Sequence, residues 1–565
     1  AKMQYENKSL YITREQFNSV HPDIDPLKND DWFVKANGDV IHANDFLVGK
    51  LSDRLSDIDK EIEKATDGSV KAKLIKQKTL ARDAIIKTNV RAIDYSLRSP
   101  LIDAETKVKF LQTQPDIGSA AKVSFDDNGR PIADIDIKNA KYDKQKLLNR
   151  FGDWLNKGTV TLGGISIGLD EREALEWLSD RINTANVEFE TWLKANDKIM
   201  DALDERINGD ENLYFSQNSD ERPVEIAGMN PALNLHGYQN AFVRSQGRFF
   251  GGINGFGVGL GKTFTALASV QHVQNIGAKK KTIFVVPNSV LSNWRKEATH
   301  AYTSMDDCLF IGLREKGDGF RVYSSLYDED LTQAIDKQYR KIFMTYEAFK
   351  RIRLKDDTLE SYADYLQRTD SGYAASESKK KDEKNKGNLA GEIEKVVRES
   401  NAPYLEDMSV DSIVVDEAHA FKNSITAPET EKGIKYLSTP NTSIRGDDAQ
   451  AKMWYVRDLS ANKDGVQLLT ATPITNSPLE IYSMLCLTAG REQVNAMCGN
   501  IRGADDFLKV MCNIAEETVP TIDGRARSQN VFIGIQNGNM LRTSINQIAT
   551  VKDAKDCLLY TSDAA

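Results

Sequence analysis

Cysteine is scarce in this chain: Cys308, Cys486, Cys498, Cys512 and Cys557 stand far apart among 565 residues, and no two form a C-x-x-C pair. That excludes a disulfide framework and a zinc-ribbon site, and it fits incidental or buried thiols in a reducing cytosol. Long apolar runs are lacking too. None approaches the roughly 18 residues of a membrane helix. The opening Ala1-Lys2-Met3-Gln4-Tyr5 has no apolar leader, so a cytoplasmic location without membrane contact is expected. Residue 1 is not Met, and the natural start is read as missing. Nor is there an excess of positive charge: 74 Lys and Arg face 83 Asp and Glu, a net −9. A chain that coats nucleic acid over its whole surface is thereby excluded, while a local basic groove is not. What is present is 40% hydrophobic residues with 8% aromatics, enough for real cores and for about two to four domains at this length.

Residues 1–225 read as a mostly helical accessory region. Leu51, Leu55, Ile58 and Ile62 recur on one helical face, Asp67-Gly68 interrupts, and a second helical stretch runs to about Leu97. A longer pattern spans Asp170 to Ile207, and 116–140 is expected to hold a small hairpin around Asp126-Asp127-Asn128-Gly129. Glu211 to Gln217 nearly spells a protease tag, but Ser216 breaks the match and the segment is read as native chain. After a polar linker the pattern changes. Short apolar runs at Thr282–Val286, Cys308–Ile311, Ile342–Thr345, Ile413–Val415 and Val466–Thr470 alternate with helical stretches, which predicts an α/β fold with a buried parallel sheet. A polar insert at about 353–408 carries the mixed-charge run Lys379 to Lys384, read as a solvated segment.

Two motifs carry chemistry. In Gly259-Leu260-Gly261-Lys262-Thr263 the backbone N–H groups at the glycines cradle phosphates. Lys262 neutralises β/γ charge, and the Thr263 hydroxyl holds Mg²⁺. The residues that follow can start a helix whose N-terminus faces the anion. Strict spacing wants a further Gly where Phe256 stands, and the preceding strand is rich in glycine (Gly251, Gly252, Gly255). Far downstream, the apolar run Ser412 to Val415 ends in Asp416-Glu417-Ala418-His419. There Asp416 is placed for Mg²⁺ and Glu417 for polarising a water.

With these stand Leu235-His236-Gly237-Tyr238-Gln239, the run from Val285 to Trp294, Met344-Thr345-Tyr346-Glu347, Asp416 to Asn423, and Leu469 to Glu480 with Ala471 where Gly is usual. In this order the set resembles the Q-type motif and motifs Ia, Ib, II and III of superfamily 2 helicases and translocases, in the Swi/Snf-like DEAH branch. The resemblance covers about 228–490. Gly228-Met229-Asn230-Pro231 and the helical region ahead of it look like the large helicases of bacteriophages and mobile elements, which implies a bacterial host cytoplasm. The resemblance implies a RecA-like lobe (226–490), a doubly wound parallel sheet that uses ATP and Mg²⁺. It gives catalytic roles to Lys262, Asp416 and Glu417, and nucleotide contacts to Gln239, Gly259, Gly261, Lys262 and Thr263. His419, Thr470 and Thr472 would couple nucleotide state to grip. Pro287, Thr345 and Tyr346 would meet the backbone of double-stranded DNA. Trp294 reads more readily as helix packing than as a base-stacking ring.

A motor of this kind needs a second lobe with an arginine for the transferring phosphate. No such cluster follows Glu480. Residues 491–556 are therefore expected to begin the connection to a missing lobe. Cys557 to Ala565 resembles a translated sequencing adapter and is read as not biological. The expected activity is that of the ATP-binding half of a DNA-dependent ATPase, poorly active as it stands. Two alternatives stay open: an RNA helicase or restriction-type DNA motor with the same core, and a phage structural or interaction protein with a degenerate ATPase lobe.

Overall fold

The computed structural model describes residues 11–126, 129–158, 160, 162, 167–216, 220–371, 373–374, 402–421, 434–435, 444–471, 478–520 and 526–552. Seven strands build its central sheet: β1 (Gly251–Phe256), β2 (Thr282–Val286), β3 (Cys308–Phe310), β4 (Lys341–Thr345), β5 (Ser412–Val415), β6 (Val466–Leu469) and β7 (Ala549–Lys552). They run in the order β7-β1-β6-β5-β2-β4-β3, and every pairing is parallel.

Side chains alternate between the two faces of each strand. Ile283, Val285, Ile413 and Val415 enter one core, while Phe284, Val286 and Val414 enter another. Both faces are covered, so the strands are mostly apolar. The second core is closed by α2 (Lys262–Asn275), which packs beside α1 (Gly237–Arg248), and by α3 (Leu291–Ala301). On the first face lie α4 (Tyr346–Arg351), α5 (Asp356–Thr369), α6 (Ile444–Asp458) and α7 (Pro478–Ala489). This is the doubly wound parallel sheet that the resemblance implies, and an α/β fold as the alternating runs predict. Phe310, Phe343 and Phe284 sit opposite one another on β3, β4 and β2, their rings parallel with centroids 4.4 Å apart at each step.

The register brings the carboxyl ends of the strands together. Val415 lies beside Val285 and Leu468, Leu469 beside Asn254, and Thr345 beside Val286. In open parallel sheets the crevice outside the carboxyl ends is where ligands bind. The glycine loop and the motifs that contain Val285, Met344, Asp416 and Leu469 lie at that edge, at the ends of β1, β2, β4, β5 and β6, while Leu235–Gln239 opens α1.

The helical region is joined to this body. Leu51–Lys64 and Gly68–Asp83 form an antiparallel pair, with Asp67 capping the second helix by accepting from Ser69 N and Val70 N. The second helix stops at Asp83, well short of Leu97. Beyond it the Asn208 amide takes both backbone groups of Thr88, at 2.9 and 2.8 Å, and holds the chain out of helix. The pattern from Asp170 to Ile207 divides into Glu171–Lys194 and Asp197–Asn208, because Asn196 caps a new start. The hairpin is present, Ala121–Phe125 against Pro131–Ile135. Leu213 and Phe215 of the tag-like segment are buried in a core with Phe33, Phe46 and Leu51.

Two stretches carry more structure than their composition suggested. The described part of the insert contains α5, whose Tyr362 and Tyr365 pack on Trp454; the run Lys379 to Lys384 lies outside the described residues, as does Cys557 to Ala565. Residues 491–552 supply the helices Arg491–Met497, Ala504–Met511 and Gly538–Ile548, an antiparallel ribbon (Cys512–Pro520 with Ala526–Ile535) and the sheet strand β7. Cys486, Cys498 and Cys512 are buried free thiols and Cys308 is half-buried.

Candidate nucleotide site at the carboxyl edge of the sheet

The loop Gly257–Gly261 turns directly from β1 into α2. Gly259 (φ +80°) and Gly261 (φ +75°) both lie in the left-handed region, where a side chain is strained. At Gly261 space is short as well: a Cβ there would stand 2.5 Å from Gln239 Nε2. Gln239 is therefore part of the loop's mould. Its Nε2 donates to Leu260 O at 3.1 Å, as does the Tyr238 hydroxyl, while its Oε1 accepts from His236 N at 2.8 Å. Phe256 does not obstruct the loop. It is buried beneath Tyr238 and Phe242, with ring centroids 5.0 and 5.7 Å away.

Lys262 starts α2 and folds back, its ammonium donating to Phe256 O at 2.9 Å and Gly257 O at 3.2 Å. Burial pulls its pKa down, and the charges of Glu417 and Asp416 oppose that pull. Thr263 is half-buried in the same first turn. Asp416 lies at the end of β5. Burial raises its pKa, against the Trp294 hydrogen bond that favours the carboxylate, and the neighbouring Glu417 charge raises it further. A phosphate fits the exposed helix N-terminus and glycine loop. A divalent cation fits the Asp416 carboxylate, which is buried next to a second negative charge and is penalised without a counter-ion.

Glu417 sits at φ +48°, uncommon for a residue with a side chain. Such a conformation costs about 1–3 kcal/mol and persists only where its surroundings impose it. Here Tyr346 imposes it, its hydroxyl donating to Asp416 O at 2.5 Å and to Glu417 O at 3.2 Å. His419 Nδ1 stands 3.2 Å from Glu417 Oε2.

The expected nucleic-acid contacts are placed differently from one another. Pro287 is half-buried at the end of β2, before the exposed Asn288 and Ser289. Thr345 is 0% exposed, bonded to the Tyr327 hydroxyl and capping α4 through Ala348 N. Tyr346 is 8% exposed, and its hydroxyl is spent on the Asp416–Glu417 backbone. In this arrangement Thr345 is buried in capping α4 and Tyr346 in holding the acidic loop. Thr470 is buried at the end of β6, its N–H donating to Asn254 O on β1 at 3.1 Å. Thr472 lies outside the described residues, as do Lys422 and Asn423.

Sequence reasoning missed the role of Trp294. The ring is 1% exposed and packs near Phe284 and Phe343, as expected of a core residue. Its indole N–H also donates to Asp416 Oδ2 at 2.9 Å. The usable signal was that a buried indole must find an acceptor.

Comparison with known proteins finds a family match and distant likenesses. Residues 170–444 match the model of the SNF2-related domain, a span that begins in the helical region and ends before β6. The chain is 26% identical over 560 residues to the Defense against restriction protein B of Escherichia phage P1, with 87% of this chain and 24% of that protein covered. It thus spans about a quarter of its relative's length. Among solved structures, the Sulfolobus solfataricus SWI2/SNF2 ATPase core in complex with dsDNA is similar at 16% identity, 60% of this chain, 47% of the other and a TM-score of 0.32. The T. fusca Cas3–AMPPNP structure is similar at 12% identity, 81%, 49% and 0.25. The glycine loop and the acidic loop meet at one sheet edge, and both lie within the span that is similar to the SNF2-related domain.

Proposed function

We propose that this chain is the ATP-binding half of a DNA-dependent ATPase, which couples hydrolysis of Mg²⁺-bound ATP to movement along duplex DNA. One observation carries the reading. Lys262, at the mouth of an anion-cradling helix N-terminus, and Asp416, a buried carboxylate poised for a cation, feel each other's charge across one crevice. Gly259, Gly261 and the α2 N-terminus bind the phosphates, and Gln239 holds the loop in shape. Thr263 and Asp416 hold the cation, which supplies charge neutralisation at the transferring phosphate. Glu417 orients the attacking water. His419, Thr470 and Thr472 relay the state of the site toward the DNA face, where Pro287 stands. Duplex DNA as the track follows from the family likeness, and the setting, defence against restriction, from the phage relative's name. Turnover by this chain alone is slow, because the family places the phosphate-stabilising arginine in a second lobe.

Equilibrium binding of a fluorescent ATP analogue, with and without Mg²⁺, tests the site. Binding strengthened by Mg²⁺ is expected, with a loss of about 100-fold in Lys262→Ala, the scale of removing one member of a charge pair. Equal binding by the variant, or indifference to Mg²⁺, would sink the assignment. Stimulation of ATPase by duplex DNA compared with RNA, in a protein carrying both lobes, separates the two tracks.

A further inference from the structure

The opposite edge of the sheet holds a cavity of about 1260 Å³. Phe249 and Phe250 line it just ahead of β1, Lys279 ahead of β2 and Asp464 ahead of β6, so it lies at the amino ends of the strands. At about 3.3 Å per residue, the six residues of β1 put it roughly 20 Å from the nucleotide crevice. Its wall is completed by the helical region through Asp45, Lys50 and Tyr214, and by α5 and α6.

Most cations on this wall have a carboxylate. Lys279 faces Asp464 at 2.7 Å, Lys463 faces Asp458 at 2.6 Å, and Arg248 pairs with Asp45. Two lack one among the described residues: the exposed Arg368, and the buried Arg457 in the last turn of α6. Arg457 is 6% exposed and lines the cavity, Nε is buried without an acceptor, and its guanidinium makes no hydrogen bond or ion pair among the described residues. The C-terminal dipole of α6 compensates its charge only in part. Gly490, at φ +87°, leaves it room, since a Cβ there would run into Arg457 Nη1. A buried guanidinium left unpaired is costly to keep, and its planar fork matches an oxyanion.

Beside it stand the rings of Tyr365 and Trp454, 5.7 Å apart and also on the wall. Asp53, Asp364 and Glu492 line the same space. These carboxylates oppose a polyanionic strand, but they suit a ligand with one anionic end and a ring bearing amino groups. The volume exceeds the usual small-molecule range of about 300–1,000 Å³, so an inorganic anion alone would leave most of it unfilled. We propose that this cavity is a second ligand site, which takes a mononucleotide with its phosphate on Arg457 and its ring toward Tyr365 and Trp454.

The test uses the full chain carrying Lys262→Ala, so that the P-loop crevice does not report, and calorimetric titration with AMP, adenosine and inorganic phosphate. Saturable AMP binding is expected, at least tenfold tighter than that of adenosine or phosphate. Adding Arg457→Gln should drop AMP to the level of adenosine. Should that variant lose its cooperative melt, Arg457→Lys replaces it, with at least a tenfold loss expected because an ammonium cannot make the forked contact. Absence of saturable AMP binding, AMP affinity unchanged by the Arg457 variant, or displacement of AMP by a short oligonucleotide at equal phosphate concentration overturns the proposal.

Discussion

Replacing Trp294 with Phe keeps an aromatic ring in the core and removes the N–H that Asp416 Oδ2 accepts, together with part of the buried ring volume. Partners that orient a metal-binding carboxylate typically matter by about 10–100-fold in metal affinity or activity. Trp294→Phe should therefore raise the Mg²⁺ needed for half-maximal nucleotide binding by about that factor, and the cavity it leaves should lower the melting temperature. An unchanged Mg²⁺ dependence would reduce Trp294 to packing. His272 makes a second prediction at this scale. Burial, aided by Arg244 and Arg248, pulls its pKa down to about 4, so the folded state binds a proton less readily than the unfolded one. Its contribution is present above the ordinary histidine value of about 6.5 and is lost as pH falls from there through 4, on the order of 3 kcal/mol in all. Denaturant melts at pH 7 and pH 4.5 should show a smaller acid loss in His272→Gln than in the parent. The motif residues were legible because their chemistry demands particular side chains at particular spacings. The work of Trp294, Thr345 and Tyr346 was not, since a buried hydroxyl or indole does not announce its acceptor in one sequence.

Among elements, the strands were the most legible. Thr282–Val286 was recovered as expected and its neighbours to within a residue or so, because a strand buried on both faces reads as a nearly continuous apolar run. β7 was not: Ala549-Thr550-Val551-Lys552 is short, polar at two positions and at the sheet edge, where one side needs no partner. The stacked rings of Phe310, Phe343 and Phe284 tie three strands together next to Trp294. Phe343→Ala removes the middle ring, and a fully buried Phe costs about 3–5 kcal/mol on truncation. A denaturant midpoint lowered to match is expected, and a loss below 1 kcal/mol would mean that β3 and β4 repack around the gap.

For the molecule as a whole, the sequence divides more readily than the structure does. Composition places a boundary near residue 225, yet one continuous apolar core runs from Leu101, Phe110, Phe189 and Leu203 through Leu485, Phe507 and Met540 to Ile253 and Val466 of the sheet. Polar contacts cross it as well. The Asn537 side chain accepts from Asp94 N at 2.7 Å, and Asn500 Nδ2 donates to Arg206 O at 3.3 Å. Periodicity shows that a helix has an apolar face but not which distant segment covers it, so this joining could not be read from the residues alone. Its consequence can be tested by deletion. A chain beginning at residue 226 would expose the faces of Ala504–Met511 and Gly538–Ile548 that the helical region covers, an apolar patch of the kind that drives association. That chain should aggregate or melt well below the parent, and adding residues 90–216 as a separate polypeptide should restore a cooperative transition. If residues 226–552 instead melt cooperatively as a monomer at the parent's temperature, the helical region is a separable module, and its place on the cavity wall beside Arg457 reflects docking rather than a shared core.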